Sequence, residues 1–120
     1  MSAQESAVAV VDDDSAVCDS TRILLEAYSF DVHTYQSGAD FLRDNPAIAC
    51  LIVDYRMPGL NGLDFMAELR GRGNSVPAIM ITATTDTTVE RRAADLGIKQ
   101  VLKKPLSNRV LLGAIRAELE

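Results

Sequence analysis

Five short apolar runs, at residues 7–11, 31–35, 50–53, 78–81 and 101–102, each give way to a longer stretch with helical spacing. This strand-helix alternation constrains the fold more than any other feature of the chain. Strands separated by a helix pair in parallel through right-handed crossovers, which place helices on both faces of one sheet. The third and fourth runs agree, being apolar throughout as strands covered on both faces must be. A chain of 120 residues has room for a single core. The expected architecture is α/β: a doubly wound, five-stranded parallel sheet.

The helical stretches carry their own punctuation. After the first run, Val17, Thr21, Leu24, Leu25 and Tyr28 fall on one face, with Asp14 or Ser15 as the cap. The second helix is short, opening at Ser37 with Asp40 three residues on and closing at Asn45-Pro46. The third runs from Asn61-Gly62 through Leu63, Met66 and Leu69 to Gly71 and Gly73. Thr87 and Glu90 read as a capping box for the fourth, which then carries Val89, Ala93 and Leu96 before Gly97. The fifth begins at Ser107 and presents Val110, Leu111, Ala114, Ile115 and Leu119.

Twelve Lys and Arg against seventeen Asp and Glu leave a net charge of −5, a field that repels phosphate backbones. No direct nucleic-acid binding by this segment is expected. Residues 1–6 lack a basic start followed by an apolar stretch, so they read as a flexible tail and not as a secretory signal. No run is long enough for a membrane helix, and the expected location is cytoplasmic. Cys18 and Cys50 lie in apolar patterns without metal-ligand spacing and read as reduced core thiols. His33, the sole histidine, reads as structural.

In a doubly wound sheet, ligands bind at the carboxyl ends of the strands where strand order reverses. Asp12, Asp13, Asp54, Thr82 and Lys104 all fall at such ends. Clustered carboxylates repel one another unless a cation joins them, and hard oxygen donors suit Mg2+, with Mn2+ as a substitute. Asp13 and Asp54 are the expected direct ligands, Asp12 partly through water, with the backbone carbonyl of Arg56 completing the set. Asp54 is delivered behind Cys50-Leu51-Ile52-Val53 to an exposed lip, a poor choice for solubility alone. As a nucleophile, its carboxylate would attack a phosphoryl group to give an acyl phosphate. The Lys104 ammonium, the Thr82 hydroxyl and the Ala83 amide would hold the remaining phosphoryl oxygens. Lys104 precedes Pro105, where a cis bond is accessible.

The segments VVDDD, VDYRMPGLNG, ITA and KKP, in this order and spacing, resemble the receiver domain of bacterial two-component response regulators, the CheY-like family. The likeness covers 7–119, and the stretches around Gly38 and Asp54 are most similar to FixJ-type receivers. It implies a flavodoxin-like (βα)5 fold with strand order 2-1-3-4-5 and a receiver domain over 7–120. It implies that Asp54 accepts a phosphoryl group from a sensor histidine kinase, that Asp12 and Asp13 bind Mg2+, and that Thr82 and Lys104 sense the product. The surface of the fourth helix, fifth strand and fifth helix would then change, supporting homodimerisation on phosphorylation. A C-terminal DNA-binding output domain outside this chain, acting in transcription regulation, is implied as well.

One position departs from the family pattern: Val101 stands where Tyr or Phe is common. Valine has no ring to rotate, so the switch is expected to run through the backbone of 83–86. Arg56 and Thr84, two beyond the phosphoacceptor and two beyond the sensing threonine, flank the path of attacking water and are expected to set phosphoryl lifetime. Arg91, Arg92, Asp95, Lys99, Lys103, Arg109 and Arg116 are expected to cluster on the output surface, where pairs worth about 0–1 kcal/mol could set register without supplying affinity.

Two rival readings follow from the same residues. Asp12-Asp13-Asp14 after an apolar strand resembles the opening of haloacid-dehalogenase-type phosphatases, but Ala16 breaks that pattern and no late acidic metal motif follows. A receiver fold acting by constitutive contact is the other, and the complete acid, threonine and lysine set argues against it.

Overall fold

The computed structural model describes residues 6–84 and 86–120. Five strands alternate with five helices: β1 Ala7–Val11, α1 Ser15–Ala27, β2 Asp31–Tyr35, α2 Gly38–Asp44, β3 Cys50–Asp54, α3 Gly62–Gly71, β4 Ala78–Thr82, α4 Thr87–Asp95, β5 Gln100–Lys103 and α5 Asn108–Leu119. All strand pairs are parallel and the order is β2-β1-β3-β4-β5, as expected. The anticipated tail falls, apart from Ser6, outside the described residues.

Strand side chains alternate between two half-cores, so each sheet face has its own helices. Ala9, Val11, Leu51, Val53 and Met80 pack with α2, α3 and α4. Val8, Val10, Cys50, Ile52 and Ile79 pack with α1 and α5. The helix α3 sits between α2 and α4, which widens its buried stripe to include Phe65 beside Leu63, Met66 and Leu69. Phe65 meets Phe41 edge-on at 5.5 Å, and Phe41 meets Tyr35 at 5.3 Å, a ring series joining β2, α2 and α3.

Several sequence expectations shift by a residue or a turn. Tyr28 is 51% exposed because α1 ends at Ala27 and Tyr28, as C-cap, has left the helical face. Val110 is likewise 48% exposed, and Leu112 joins Leu111, Ala114 and Ile115 in the core. The strands β3 and β4 run one residue further than their apolar stretches, taking in Asp54 and Thr82. The cap of α4 is Asp86 and not Thr87: the Asp86 carboxylate accepts from the Thr88 amide at 2.9 Å, while Thr87 is already helical. The other caps stand where expected, with Asp14 on α1, Ser37 on α2, Asn61 on α3 and Ser107 on α5. Cys18 and Cys50 are free and buried, as expected.

The placement of the α4 cap separates two neighbouring substitutions. Asp86→Ala should destabilise the fold by about 1 kcal/mol, and Thr87→Ala by less than about 0.5 kcal/mol. Urea unfolding at constant slope reads both; equal losses would return the cap to Thr87.

Candidate functional site

The register of the sheet brings the carboxyl ends of β1, β3, β4 and β5 level. Val11 pairs with Val53, Asp54 with Ile81, and Thr82 with Lys103. The reversal of strand order lies between β1 and β3. Asp12, directly after β1, and Asp54, at the end of β3, therefore flank the crevice where such sheets bind ligands.

The three successive aspartates divide their work. Asp14 caps α1, accepting from the Ala16 and Val17 amides at 2.9 and 3.3 Å. Asp12 turns inward, is 6% exposed, and accepts from the Asp14 amide at 2.9 Å. Asp13 is left exposed beside them. Oxygens of Asp12, Asp13 and Asp54 lie within 4.8 Å of one another, a donor set of hard oxygens suited to a divalent cation. Asp54 is 5% exposed, buried instead of standing on an open lip, because the loop after β3 closes beside it. That loop pegs Met57 into the α2–α4 half-core and leaves Arg56 exposed.

Lys104, following β5, reaches back so that its Nζ lies 2.8 Å from Asp54 Oδ1. Its backbone is fixed by donation from the Lys104 amide to the Thr82 carbonyl at 3.0 Å, and the Lys104-Pro105 bond is cis, as expected. Burial alone pulls the Lys104 ammonium down, but its hydrogen bond to Asp54 and the charges of Asp54, Asp12 and Asp13 outweigh that and leave its pKa raised. Burial is also the main reason the Asp12 carboxyl is raised. The Asp14 amide and the Lys104 charge oppose that rise, and the neighbouring Asp54 and Asp13 reinforce it.

Thr82 is 3% exposed, and its hydroxyl oxygen accepts from the Thr84 amide at 3.0 Å, leaving its proton free to donate elsewhere. Thr84 repeats the turn, its hydroxyl accepting from the Asp86 amide at 3.1 Å. Ala83 is exposed between them. Of the segment 83–86 expected to carry the switch, Thr85 lies outside the described residues. Val101 is half-buried against the α2–α4 half-core and pairs with Met80.

The charged cluster expected beside α4 and α5 is smaller than the sequence suggested. Arg92 pairs with Asp64 of α3 at 3.5 Å. The Arg116 guanidinium sits 5.8 Å from the Tyr28 ring centroid, on the α1 side of α5. Arg91, Lys99, Lys103 and Arg109 remain exposed. Sequence reasoning missed Cys18 as part of the site's support: its thiol donates to the Asp12 carbonyl at 3.3 Å. Only the turn of α1 over the β1 end reveals that contact. A groove of about 630 Å³ also opens beside the site, bordered by Asp12 and Lys104 and walled by Leu24, Pro105, Leu106 and Leu111.

Residues 8–116 match the family model described as the response regulator receiver domain. The response regulator protein TodT of Pseudomonas putida is 35% identical over 122 residues, covering 100% of this chain and 54% of the relative. The transcriptional regulatory protein FixJ of Azorhizobium caulinodans is 36% identical over 114 residues, covering 93% of this chain and 54% of its own. The chain thus spans about half the length of the curated relatives it matches. Among solved structures, the response regulator StyR superimposes with a TM-score of 0.87 at 35% identity, over 94% of this chain and 58% of that one. A CheY-like receiver domain from Methanospirillum hungatei gives a TM-score of 0.89 at 23% identity, covering 95% of this chain and 93% of its own, and shares the fold. No helix among the described residues is long and apolar enough to cross a membrane.

The raised Asp12 carboxyl gives the metal-free fold a pH signature. With a folded pKa above the unfolded 3.8, the native state binds the proton more tightly. The stability this confers is complete below 3.8 and is lost as pH rises through the folded value. Asp12→Asn should therefore raise the Tm of chelator-treated protein at neutral pH, by a margin that shrinks as pH falls toward 3.8. Circular dichroism melts across that range check it; a variant less stable than wild type at every pH would contradict the assignment.

Proposed function

The chain belongs to the response regulator receiver domain family of two-component signalling, and on that premise we propose that Asp54 is its phosphoacceptor, charged by a sensor histidine kinase. The observation that carries this reading is a single contact set. The buried Asp54 carboxylate lies within an acidic triad and is held on one oxygen by Lys104 at 2.8 Å. The other oxygen attacks the phosphorus of a phosphohistidine, the N–P bond breaks, and the released imidazole takes up a proton. The product is an acyl phosphate on Asp54.

Catalysis here is positioning and charge stabilisation around three phosphoryl oxygens. Lys104 supplies a fixed cation, and the free proton of the Thr82 hydroxyl with the Ala83 amide supplies neutral donors. Asp13, Asp54 and the Arg56 carbonyl are the residues that would hold Mg2+, with Asp12 acting partly through water. The ion supplies charge neutralisation between the acids and the incoming phosphoryl group. The hard-oxygen donor set and the strain of three gathered carboxylates support that assignment.

Phosphorylation adds about −1.5 to −2 charges beside Thr82. Drawing the Thr82 hydroxyl toward the new oxygens weakens its acceptance from the Thr84 amide and moves the backbone leading to Asp86 and α4. With Val101 in the aromatic position, that backbone path is the main readout. The altered surface of α4, β5 and α5 then governs a second copy of the chain or an output domain. The greater length of the transcriptional regulators it resembles supports an output domain outside this chain, which in this reading binds DNA.

Acetyl phosphate with Mg2+ should add one phosphoryl group to the wild-type chain and none to Asp54→Asn, read by intact mass. The same sample should show amide resonance shifts at Ala83 and Thr84 larger than those at Val101. A label on another residue, or no label while Mg2+ is bound, would refute the phosphoacceptor. Larger shifts at Val101 than at Ala83 would refute the backbone path.

Exposed Arg56 covers the approach of water to the acyl phosphate. Arg56→Ala should shorten the acyl-phosphate lifetime several-fold, followed by loss of the mass increment after donor removal. An unchanged decay rate makes Arg56 an ordinary surface cation.

A further inference from the structure

We infer that Gly62 is a positioning residue for the phosphoacceptor, selected because no Cβ fits between the first turn of α3 and the end of β3; the inference rests on the reading of Asp54 above. A Cβ built at Gly62 would lie 2.6 Å from the Asp54 carbonyl oxygen, 2.9 Å from Tyr55 Cα and 3.2 Å from the Asp54 carbonyl carbon. All three are backbone atoms, so no rotamer change relieves the contact. The φ of Gly62 is not in the positive region, so clearance and not backbone freedom explains the glycine. Helix propensity gives no preference for glycine over alanine in that first turn.

Hydrogen bonds hold the Tyr55 backbone from both sides, so the clash cannot be relieved without moving this segment. On one side the Tyr55 amide donates to Ile81 of β4 at 2.8 Å. On the other the Gly62 amide donates to the Tyr55 carbonyl at 2.7 Å, closing the neck of the loop that carries Arg56. Met57, 7% exposed in the α2–α4 half-core, is that loop's second anchor. A methyl group at position 62 therefore displaces the Asp54 backbone, and with it the carboxylate relative to Asp12, Asp13 and Lys104. It also shifts the loop that presents the Arg56 carbonyl.

Gly38 offers a matched control, since a Cβ there would meet the Phe65 ring at 2.6 Å, a side chain and not the Asp54 backbone. Both Gly62→Ala and Gly38→Ala should lower the Tm. At a temperature where both are folded, Gly38→Ala should keep wild-type Mg2+ affinity by titration calorimetry and wild-type labelling by acetyl phosphate. Gly62→Ala should lose about 10-fold or more in each. Equal behaviour of the two variants overturns the inference. If Gly62→Ala gives no cooperative melt, Met57→Ala decides, because it releases the same loop without a clash. Weakened Mg2+ binding in Met57→Ala supports the positioning role, and unchanged binding overturns it. Failure of the wild-type chain to take label would instead sink the phosphoacceptor, while the Mg2+ titrations would still report on Gly62.

Discussion

Three carboxylates gathered within 4.8 Å of one another at the β1–β3 crevice are the constraint that organises this molecule. Gathering like charges is unfavourable by itself, and at Asp12 burial first and the neighbouring Asp54 and Asp13 charges second raise the carboxyl. Lys104, directly after β5, places a cation 2.8 Å from Asp54 and offsets part of the repulsion there. Only the Asp54 side of this pair is buried, since the Lys104 side chain is 40% exposed, so removing Lys104 would leave a buried carboxylate without its cation. The gathered hard oxygens are a donor set suited to a divalent ion.

Around that crevice the packing is uneven in a way that follows from the sheet. The α2–α4 half-core holds the loop after β3 through Met57 and rigidifies the support with the Tyr35, Phe41 and Phe65 rings. On the opposite face, the α1–α5 half-core supports Asp12 through the Cys18 thiol. Asp54 thus sits on the seam between two separately packed layers. Its backbone is fixed from β4 on one side and from α3 on the other, which is how a carboxylate at the end of a strand keeps its geometry without deep burial of the whole site.

Much of this was legible in the sequence, because the relevant signals are local. Short apolar runs followed by helical spacing specify the strand-helix alternation, and Asp14, Ser37, Asn61 and Ser107 announce their caps chemically. The acids, Thr82 and Lys104 could be grouped because a parallel sheet forces all strand ends of one kind to one edge. What escaped depends on relations between elements. Thr87 with Glu90 imitates a capping box as well as Asp86 makes a real cap, and only backbone conformation separates them. Phe65 is buried because α3 has neighbours on two sides, which its own periodicity cannot state. Arg116 left the expected surface cluster because Tyr28, at the end of a distant helix, offered its ring.

The same distinction between local and relational forces bears on how a change at Thr82 would travel. The C-terminal end of α4 is tied down by Arg70, whose guanidinium donates to the carbonyls of Leu96 at 2.8 Å, Asn74 at 3.1 Å and Val76 at 2.8 Å. Hydrogen bonds from a charged donor are among the stronger ones, and three converging on backbone acceptors fix that end against α3 and the approach to β4. The N-terminal end is held differently, by a chain of short side-chain turns from Thr82 to Thr84 to Asp86. Each turn is individually weak, and the chain of them begins at the Thr82 hydroxyl at the end of β4. The helix α4 is therefore anchored far from the site and loosely linked close to it. In the proposed reading, a disturbance of the Thr82 hydroxyl would act first on the end with less to resist it, without need of an aromatic ring at position 101.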